Sequence, residues 1–424
     1  MALPPWGATL TLSLTIWPWL AWLAWLPVLA LAVLLLALEV SCRRAPSLAS
    51  PSSPPDLTGS FLRLVIPAYQ EAGNITACLA AALASEAPGL TWEVLVVDDG
   101  STDGTAALAA AGLAAWAGSE RPAGIGPGQA RLLVAGPRPD AERWCGKNWP
   151  ASRGAAEPWP AGDPARQWLL FLDADVRLAP RALAAAVAEA DHSGADLLSL
   201  APRLSCSCLA EWLVQPIVVN LLGLVFPFRR TNDPADPTAF AAGPFMLFRR
   251  SAYTAIGGHA AMAAEVVEDL ALARAIKGSG HRLRYLLALD LVSLGMYPDL
   301  PSLWEGWTKN WFLGVDRSLV KAAGSGLVVL LLYTAPWLQL LAAASGGLFG
   351  LPLPVLARLG GPALVAIGLQ LLLRLWSAWR FRLPARFWWL GGLGGLLVAA
   401  IVPVSVWRTL TGQGWTWRGR SLAA

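Results

Sequence analysis

The chain predicts an α/β domain with a mostly parallel sheet, flanked by transmembrane helices. Three observations carry that expectation. First, apolar runs of strand length, Val94-Leu95-Val96-Val97 and Trp168-Leu169-Leu170-Phe171-Leu172, end in acids, Asp98-Asp99 and Asp173-Ala174-Asp175. Buried parallel strands read as continuous apolar runs, and α/β sheets bind ligands beyond the carboxyl ends of such strands. Second, helix and strand patterns alternate from Phe61 onward, as βαβ units require. Third, several uncharged stretches approach the roughly 20 residues needed to cross a bilayer. The 424-residue chain is 55% hydrophobic and 14% charged, against roughly 25% charged in a soluble domain.

The elements follow in order. Residues 10–38 carry no charge, and Arg43 and Arg44 come next. This reads as a transmembrane anchor within 1–44, kinked at Pro18 and Pro27. No basic segment precedes it and no small-residue cleavage site follows, unlike a signal peptide. The positive-inside rule then puts the N-terminus outside and the next domain in the cytosol. Residues 45–60 are rich in Pro and Ser and read as a linker. The domain itself is expected over 61–320. Strands are predicted at 61–67, 93–97, 131–134, 168–172 and 197–203. Helices are predicted at 74–85, 102–115, 180–190 and near 150–156. The apolar segment 213–228 is short for a span and reads as a core or interfacial helix.

Further apolar stretches at 326–348, 361–375 and 387–406 make up a C-terminal membrane region, 321–410, with a short tail at 411–424. Arg374, Arg380, Arg382 and Arg386 mark the turn between the last two stretches as cytoplasmic, with Trp376, Trp379, Trp388 and Trp389 as an interfacial belt. Four complete spans starting outside would place Arg408, Arg418 and Arg420 outside as well. That offends the positive-inside rule, so one stretch is expected to be re-entrant or interfacial. These features place the chain in the inner (cytoplasmic) membrane as a multi-pass protein.

A net charge of +4 gives no case for a nucleic-acid partner. The five cysteines show no zinc spacing and read as reduced thiols.

Several constellations carry chemistry. Asp98-Asp99-Gly100-Ser101-Thr102-Asp103-Gly104 joins a strand to a helix. A carboxylate there can accept hydrogen bonds from a nucleobase or ribose, although an ordinary capped turn has the same residues. Asp173 and Asp175 lie on an extended segment at a strand end and suit a hard divalent cation, Mg²⁺ or Mn²⁺, with substrate phosphates. Glu268-Asp269 opens an amphipathic helix, where an acid pair complements the dipole. The alternative role is a general base for an acceptor hydroxyl. Lys147 offers a phosphate contact. The cluster Trp304-Glu305-Gly306-Trp307-Thr308-Lys309-Asn310-Trp311 lies just before the membrane region. Within it Trp307, Lys309 and Trp311 are candidate substrate contacts. His259 is one of three histidines and reads as structural.

Taken in order, these motifs resemble family 2 glycosyltransferases of the GT-A fold over about 61–311. The matching runs are Val65-Ile66-Pro67-Ala68-Tyr69-Gln70-Glu71, VVDDGSTDGT, LDADV, AAGPFMLFRRSAYTAIGGH and VEDLALARAIKGSG. The resemblance implies that Pro67, Glu71 and Asp99 line a nucleotide pocket and that Asp173 and Asp175 hold metal and diphosphate. Asp269 would be the base of an inverting transfer. TAIGGH, EGWTKNW and Trp417-Arg418-Gly419-Arg420 look like the bacterial carotenoid (diaponeurosporenoate-type) glycosyltransferases. Residues 226–234 and Gly146-Lys147 look like the hopanoid-associated enzymes. Processive synthases carry Gln-x-x-Arg-Trp after the base, and this chain has residues 304–311 there instead.

The expected function is transfer of one sugar from a nucleotide sugar, UDP-linked by preference, to a lipophilic membrane acceptor such as a carotenoid or other isoprenoid. A hopanoid or other glycolipid transferase and a polysaccharide synthase are the alternatives within the enzyme class, separated by product size. A membrane scaffold with an inactive domain would have lost the acids, which this chain keeps.

Overall fold

The computed structural model describes residues 22–49, 57–87, 89–120, 124–139, 143–348 and 353–422. In chain order its first strands are β1 Phe61–Ala68, β2 Thr91–Asp98, β3 Gln129–Val134, β4 Gln167–Leu172 and β5 Val176–Leu178. They continue with β6 Leu197–Ala201, β7 Arg203–Leu204, β8 Phe245–Arg249, β9 Leu283–Leu287 and β10 Val292–Leu294. A seven-stranded sheet runs in the order β3-β2-β1-β4-β8-β6-β9. All its neighbours pair in parallel except β8, which is antiparallel to both β4 and β6. The mostly parallel sheet expected from the sequence is what forms. The β8 strand was not expected: five residues, from just after Gly243-Pro244 to the first of an Arg pair, are too few to show a period.

The strand residues sort by the period of two. Leu62, Leu64 and Ile66 face a core completed by the helices Ile75–Leu83, Thr105–Ala117 and Ala182–His192. Val65, Leu95 and Val97 face a second core with Asn148–Ala156, Arg250–Ala255 and Glu268–Gly278. Each such side chain contributes roughly 1.5–3 kcal/mol on burial. Inside β1 lies a fully buried Arg63. Its Nε donates to Glu93 Oε1 at 2.7 Å, its other nitrogens donate to the carbonyls of Glu157 and Pro158, and it stacks over Trp159.

Two expectations change here. The predicted strand 197–203 breaks at Pro202, which has no N–H for the ladder. Arg203–Leu204 instead joins a small sheet in the order β5-β10-β7. The described part of the 45–60 linker is not free chain: Ser47 bridges Leu287, and Leu48 N donates to Leu287 O, extending the sheet beyond β9.

A third core joins the helices Leu26–Cys42, Leu209–Val225 and Leu300–Gly314 to the C-terminal helices. Among the described residues three helices, Leu319–Leu348, Leu353–Phe381 and Trp388–Leu410, are long and apolar enough to cross a membrane. Leu327, Leu341, Leu364 and Leu393 point outward and are exposed. The first of these helices widens into a π turn at Leu330–Thr334, just before Pro336, whose missing N–H breaks the regular ladder. Of the N-terminal stretch, residues 1–21, with Pro18, lie outside the described residues. Pro27 falls in the first turn of Leu26–Cys42, where its missing N–H is harmless. The 213–228 segment forms the helix Leu209–Val225, packed inside the bundle: Gly223 O accepts from Ser41 Oγ, and Asn220 Oδ1 from Ser377 Oγ.

The last helix starts partway along the bundle. Thr334 Oγ1 donates to Gly392 O at 3.0 Å, and Phe312 N donates to Ser405 Oγ at 3.0 Å. It therefore runs antiparallel to Leu319–Leu348, from that helix's middle back toward the α/β domain. The turn after Phe381 also lies against that domain, where Arg382 pairs with Asp290.

Candidate active site

The order β2-β1-β4 puts three carboxyl ends side by side, with Ala68 opposite Asp98 and Phe171 opposite Val65. Glu71, Asp98-Asp99 and Asp173 thus emerge along one edge of the sheet. Because β8 is antiparallel, its start, not its end, reaches the same edge. Phe245 pairs with Leu172, and Asp173 N donates to Pro244 O at 3.1 Å. The preceding residue, Gly243, donates its N–H to Asp269 Oδ2 at 3.1 Å. The strand that was not expected is therefore what ties the Glu268-Asp269 helix to the acids at the other strand ends.

At one end of this edge the loops after β1 and β2 lock together. Asp98 Oδ2 accepts from the N–H groups of Gly100 and Ser101 and shapes the turn. Asp103 accepts from Ala72 N, and Thr105 Oγ1 accepts from Glu71 N at 2.8 Å. Pro67 is buried within β1 opposite Val97. Glu71 is buried; its carboxylate accepts from Asn74 Nδ2 at 2.9 Å and pairs with Arg418 at 2.7 Å. Burial pushes the Glu71 carboxyl up, and the Arg418 charge opposes that. Asp99 is buried between two guanidinium groups, Arg138 at 2.6 Å and Arg420.

At the other end Lys147 bridges the acids, pairing with Asp173 and, at 3.2 Å, with Glu268. Burial pushes its ammonium down, but the Asp173 and Glu268 charges outweigh burial and hold it above the usual lysine range. Asp175 lies well above the usual carboxylate range because of burial and then the Asp173 charge. Asp173 is also raised by burial, against the pull of Lys147. Burial raises Glu268, yet Lys147 and Lys309 leave it below its ordinary value. Asp269 is pushed up to about 6, by burial first and the Glu268 charge second. Lys309 is lowered by burial, against the pull of Glu268, so its charge also belongs to this cluster.

The helix Leu300–Gly314, capped by Asp299, divides the Trp cluster between two faces. Lys309 interacts with the acids. Trp311 does not come near them: its Nε1 donates to Ser325 Oγ at 3.0 Å, and its ring is buried in the bundle core. Trp307, one turn earlier, stands edge-on to it and packs against the same core. His259 is buried behind β4, where its Nδ1 meets Tyr253 Oη at 2.9 Å, and burial holds it down to about 3.

Three residues at this edge were not read as contacts from the sequence: Arg138, Arg418 and Arg420. The last two arrive on a C-terminal hairpin of β11 Trp415–Trp417 and β12 Arg420–Leu422. Arg418 Nη1 donates to Gln70 O, Arg420 Nη2 donates to Asp99 O at 2.7 Å, and the Arg420 guanidinium stacks 3.8 Å over Tyr69. The only signal available was the Trp-Arg-Gly-Arg string, and no period or spacing connects it with residues more than three hundred positions upstream.

Comparison with known proteins bears on one segment directly. Residues 64–119, from β1 through the helix Thr105–Ala117, match the model of glycosyl transferase family 2. Glycosyltransferase AglE of Haloferax volcanii is 49% identical over 49 residues, 12% of this chain and 16% of that protein. The 4,4'-diaponeurosporenoate glycosyltransferase of Staphylococcus aureus is 27% identical over 265 residues, 61% of this chain and 63% of that protein. The chain thus spans less than two thirds of either curated relative. Among solved structures, mannosyltransferase PcManGT of Pyrobaculum calidifontis, in complex with GDP-Man and Mn²⁺, superposes with a TM-score of 0.48 and 16% identity, covering 89% of this chain and 98% of that one.

Proposed function

We infer that this chain, whose residues 64–119 match glycosyl transferase family 2, is an inverting glycosyltransferase. It moves one sugar from a nucleotide sugar, UDP-linked by preference, to a lipophilic acceptor in the membrane. The observation that carries the reading is the meeting of Glu71 and Asp99, Asp173 and Asp175, and Glu268 and Asp269 along one sheet edge, beside helices of membrane length. The likeness to a diaponeurosporenoate glycosyltransferase supports a carotenoid-type acceptor.

A divalent cation, Mg²⁺ or Mn²⁺, fits the residues present. Asp175 Oδ1 is buried without a hydrogen-bond partner among the described residues, and the Asp173 charge disfavours its ionised form. Asp173 and Asp175 would hold the ion, which supplies positive charge to the diphosphate of the leaving nucleotide. The chain's own cations, Lys147 and Lys309, add to that field. Asp269 is held at both oxygens, by Gly243 N and Leu270 N, and takes the proton of the acceptor hydroxyl. The neighbouring Lys147 and Lys309 keep Glu268 ionised, which raises the basicity of Asp269. The α/β domain, the Arg382 turn and the C-terminal tail lie on one side of the bundle. The Arg-rich turns make that side cytosolic, so a charged donor arrives from the cytosol and the acceptor laterally from the bilayer.

The test uses membranes holding the full chain, labelled nucleotide sugars and Mn²⁺. One sugar on a solvent-extractable lipid is expected, with transfer abolished by Asp173→Ala, Asp175→Ala or EDTA. A long water-soluble product, or activity that survives the double variant with chelator, would overturn the reading.

A further inference from the structure

The acids at the nucleoside end of the site are already engaged by two arginines from the far end of the chain. We propose that Arg418 and Arg420 are donor-binding residues and that the hairpin Trp415–Leu422 completes the nucleotide pocket. The inference rests on the nucleotide-sugar reading above and gives a role to two arginines of the Trp-Arg-Gly-Arg string, to which the sequence motifs assign none.

Four observations support it. The hairpin is docked, not loose: Trp415 is buried with Cys145 and Val266, and Leu313 and Trp417 pack against them. Val266 lies two positions before Glu268, so the hairpin spans from the base helix to the nucleoside acids. Second, each arginine reaches both a carboxylate and a backbone carbonyl: Arg418 takes Glu71 and Gln70 O, and Arg420 takes Asp99 and Asp99 O. Third, Tyr69 lies between the Arg420 guanidinium at 3.8 Å and the Trp417 ring at 5.7 Å, on the same β1 loop that bears Glu71.

The fourth is conformational. Arg418 and Gly419 both have positive φ, 49° and 78°, so the hairpin turn is of the primed type. Asn, Asp or Gly usually fill the first of those positions, and any other residue there is strained. Strain of this kind persists where a side chain is in use. Gln70, whose carbonyl Arg418 contacts, is also at positive φ, 55°.

Charge explains the use. Glu71, Asp98, Asp99, Asp173, Asp175, Glu268 and Asp269 outnumber the cations Arg138, Lys147 and Lys309 along this edge, and the diphosphate of a nucleotide sugar is itself a dianion. Two guanidinium groups placed among the acids reduce the repulsion and present a fork suited to phosphate and ribose oxygens.

The experiment measures binding of UDP and of GDP, each with MnCl₂, to the full chain in nanodiscs by calorimetry. Arg418→Gly is the key variant, because glycine suits the positive φ of the turn while it removes the guanidinium with the rest of the side chain. Its melting temperature is expected to stay within a few degrees of wild type, the relieved turn offsetting the lost Glu71 pair, while nucleotide Kd weakens about tenfold or more, the worth of one charge-assisted hydrogen bond. Arg420→Gln is expected to weaken binding similarly, and Arg418→Lys to lose less than Arg418→Gly. Wild-type-like affinity in both Arg418→Gly and Arg420→Gln would overturn the proposal. Tighter binding in either would do so too, because it would make the hairpin a plug that the nucleotide must displace. If the wild-type chain binds neither nucleotide with Mn²⁺, the nucleotide-sugar reading itself falls, and this proposal with it.

Discussion

Asp269 gives the site a pH signature that can be worked from its surroundings. Burial and the Glu268 charge lift its carboxyl to about 6, against Lys147 and the Leu270 N–H, which stabilise the ionised form. An acid raised in this way is neutral below about pH 6 and becomes a base only above it. Transfer should therefore be lost as pH falls, with kcat dropping about tenfold per unit below the midpoint and flat above it. At pH 5 roughly a tenth of the plateau rate remains. Asp269→Asn removes the proton acceptor, a loss of about 10²–10⁴-fold, or about 3–5 kcal/mol of barrier. Stability should move the other way. The ionised form is disfavoured in the fold, so the penalty is absent below the unfolded value of about 3.9 and complete above about 6. It amounts to at most roughly 3 kcal/mol, less whatever solvent screens. Asp269→Asn should thus melt higher than wild type at pH 8, with the gap closing toward pH 4. The assay pairs initial rates in reconstituted membranes from pH 4.5 to 8.5 with melting curves over the same range. A wild-type rate that stays level from pH 5 to 8 while the protein remains folded would refute the assignment. So would an Asn variant that keeps more than a tenth of the activity.

Other expectations follow from single contacts. A Cβ at Gly243 would stand 2.9 Å from Asp269 Oδ2. Gly243→Ala should therefore displace the base and lower kcat about 10²-fold with little change in melting temperature, which steady-state kinetics and calorimetry separate. Arg63→Ala leaves buried Glu93, among the described residues, with the 3.6 Å contact to half-exposed Arg131 alone. It should destabilise the domain by about 3 kcal/mol, and Arg63→Met with Glu93→Leu should recover most of that in urea titrations. In a cysteine-free background, Thr416→Cys and Asp290→Cys should react with an impermeant thiol reagent from the same face of sealed vesicles. Labelling from opposite faces would contradict the docked tail.

The sheet was legible because its central strands are covered on both faces and so keep unbroken apolar runs. For β1, β2 and β4 the predicted and observed spans differ by no more than two residues at either end. The acids following them were legible for the same reason, since a strand that ends in Asp puts that Asp at the ligand edge. What failed was short or depended on long-range partners. β8 has five residues, and its antiparallel direction follows from where β4 and β6 already lie. Pro202 looked like part of a strand because it follows Leu197, Leu198, Leu200 and Ala201, yet it separates two sheets. Trp311 and Lys309 are two positions apart, and on a helix that spacing sends them to different faces. The cluster that read as one unit is therefore split between the bundle core and the acids. The arginines on Asp99 and Glu71 were hidden by sequence separation, since local periodicity carries no information across hundreds of residues.

The parity conflict in the sequence finds a physical resolution in the last helix. Complete spans would have carried Arg408, Arg418 and Arg420 to the side opposite the α/β domain. Arg418 and Arg420 instead hold Glu71 and Asp99, so the chain must return to the domain's side after its last apolar helix. Leu319–Leu348 leads away from the domain, since its first residues follow Leu300–Gly314 and Ser325 holds Trp311. Leu353–Phe381 leads back, because Arg382 meets Asp290. Trp388–Leu410 then starts beside the middle of the bundle, at Thr334 and Trp337, and ends near Phe312. Between Phe381 and Trp388 the chain climbs only partway into the bundle, with Arg386 O accepting from Arg374 of the preceding helix. In the membrane reading proposed above, the third apolar stretch is thus a descent without a full ascent, a re-entrant arrangement. Buried backbone at such a depth needs protein partners in place of lipid, and Arg374, with donors to both Trp212 O and Arg386 O, supplies them. The charge that looked like a topological marker is in this geometry a hydrogen-bond donor to the segment that makes the topology even.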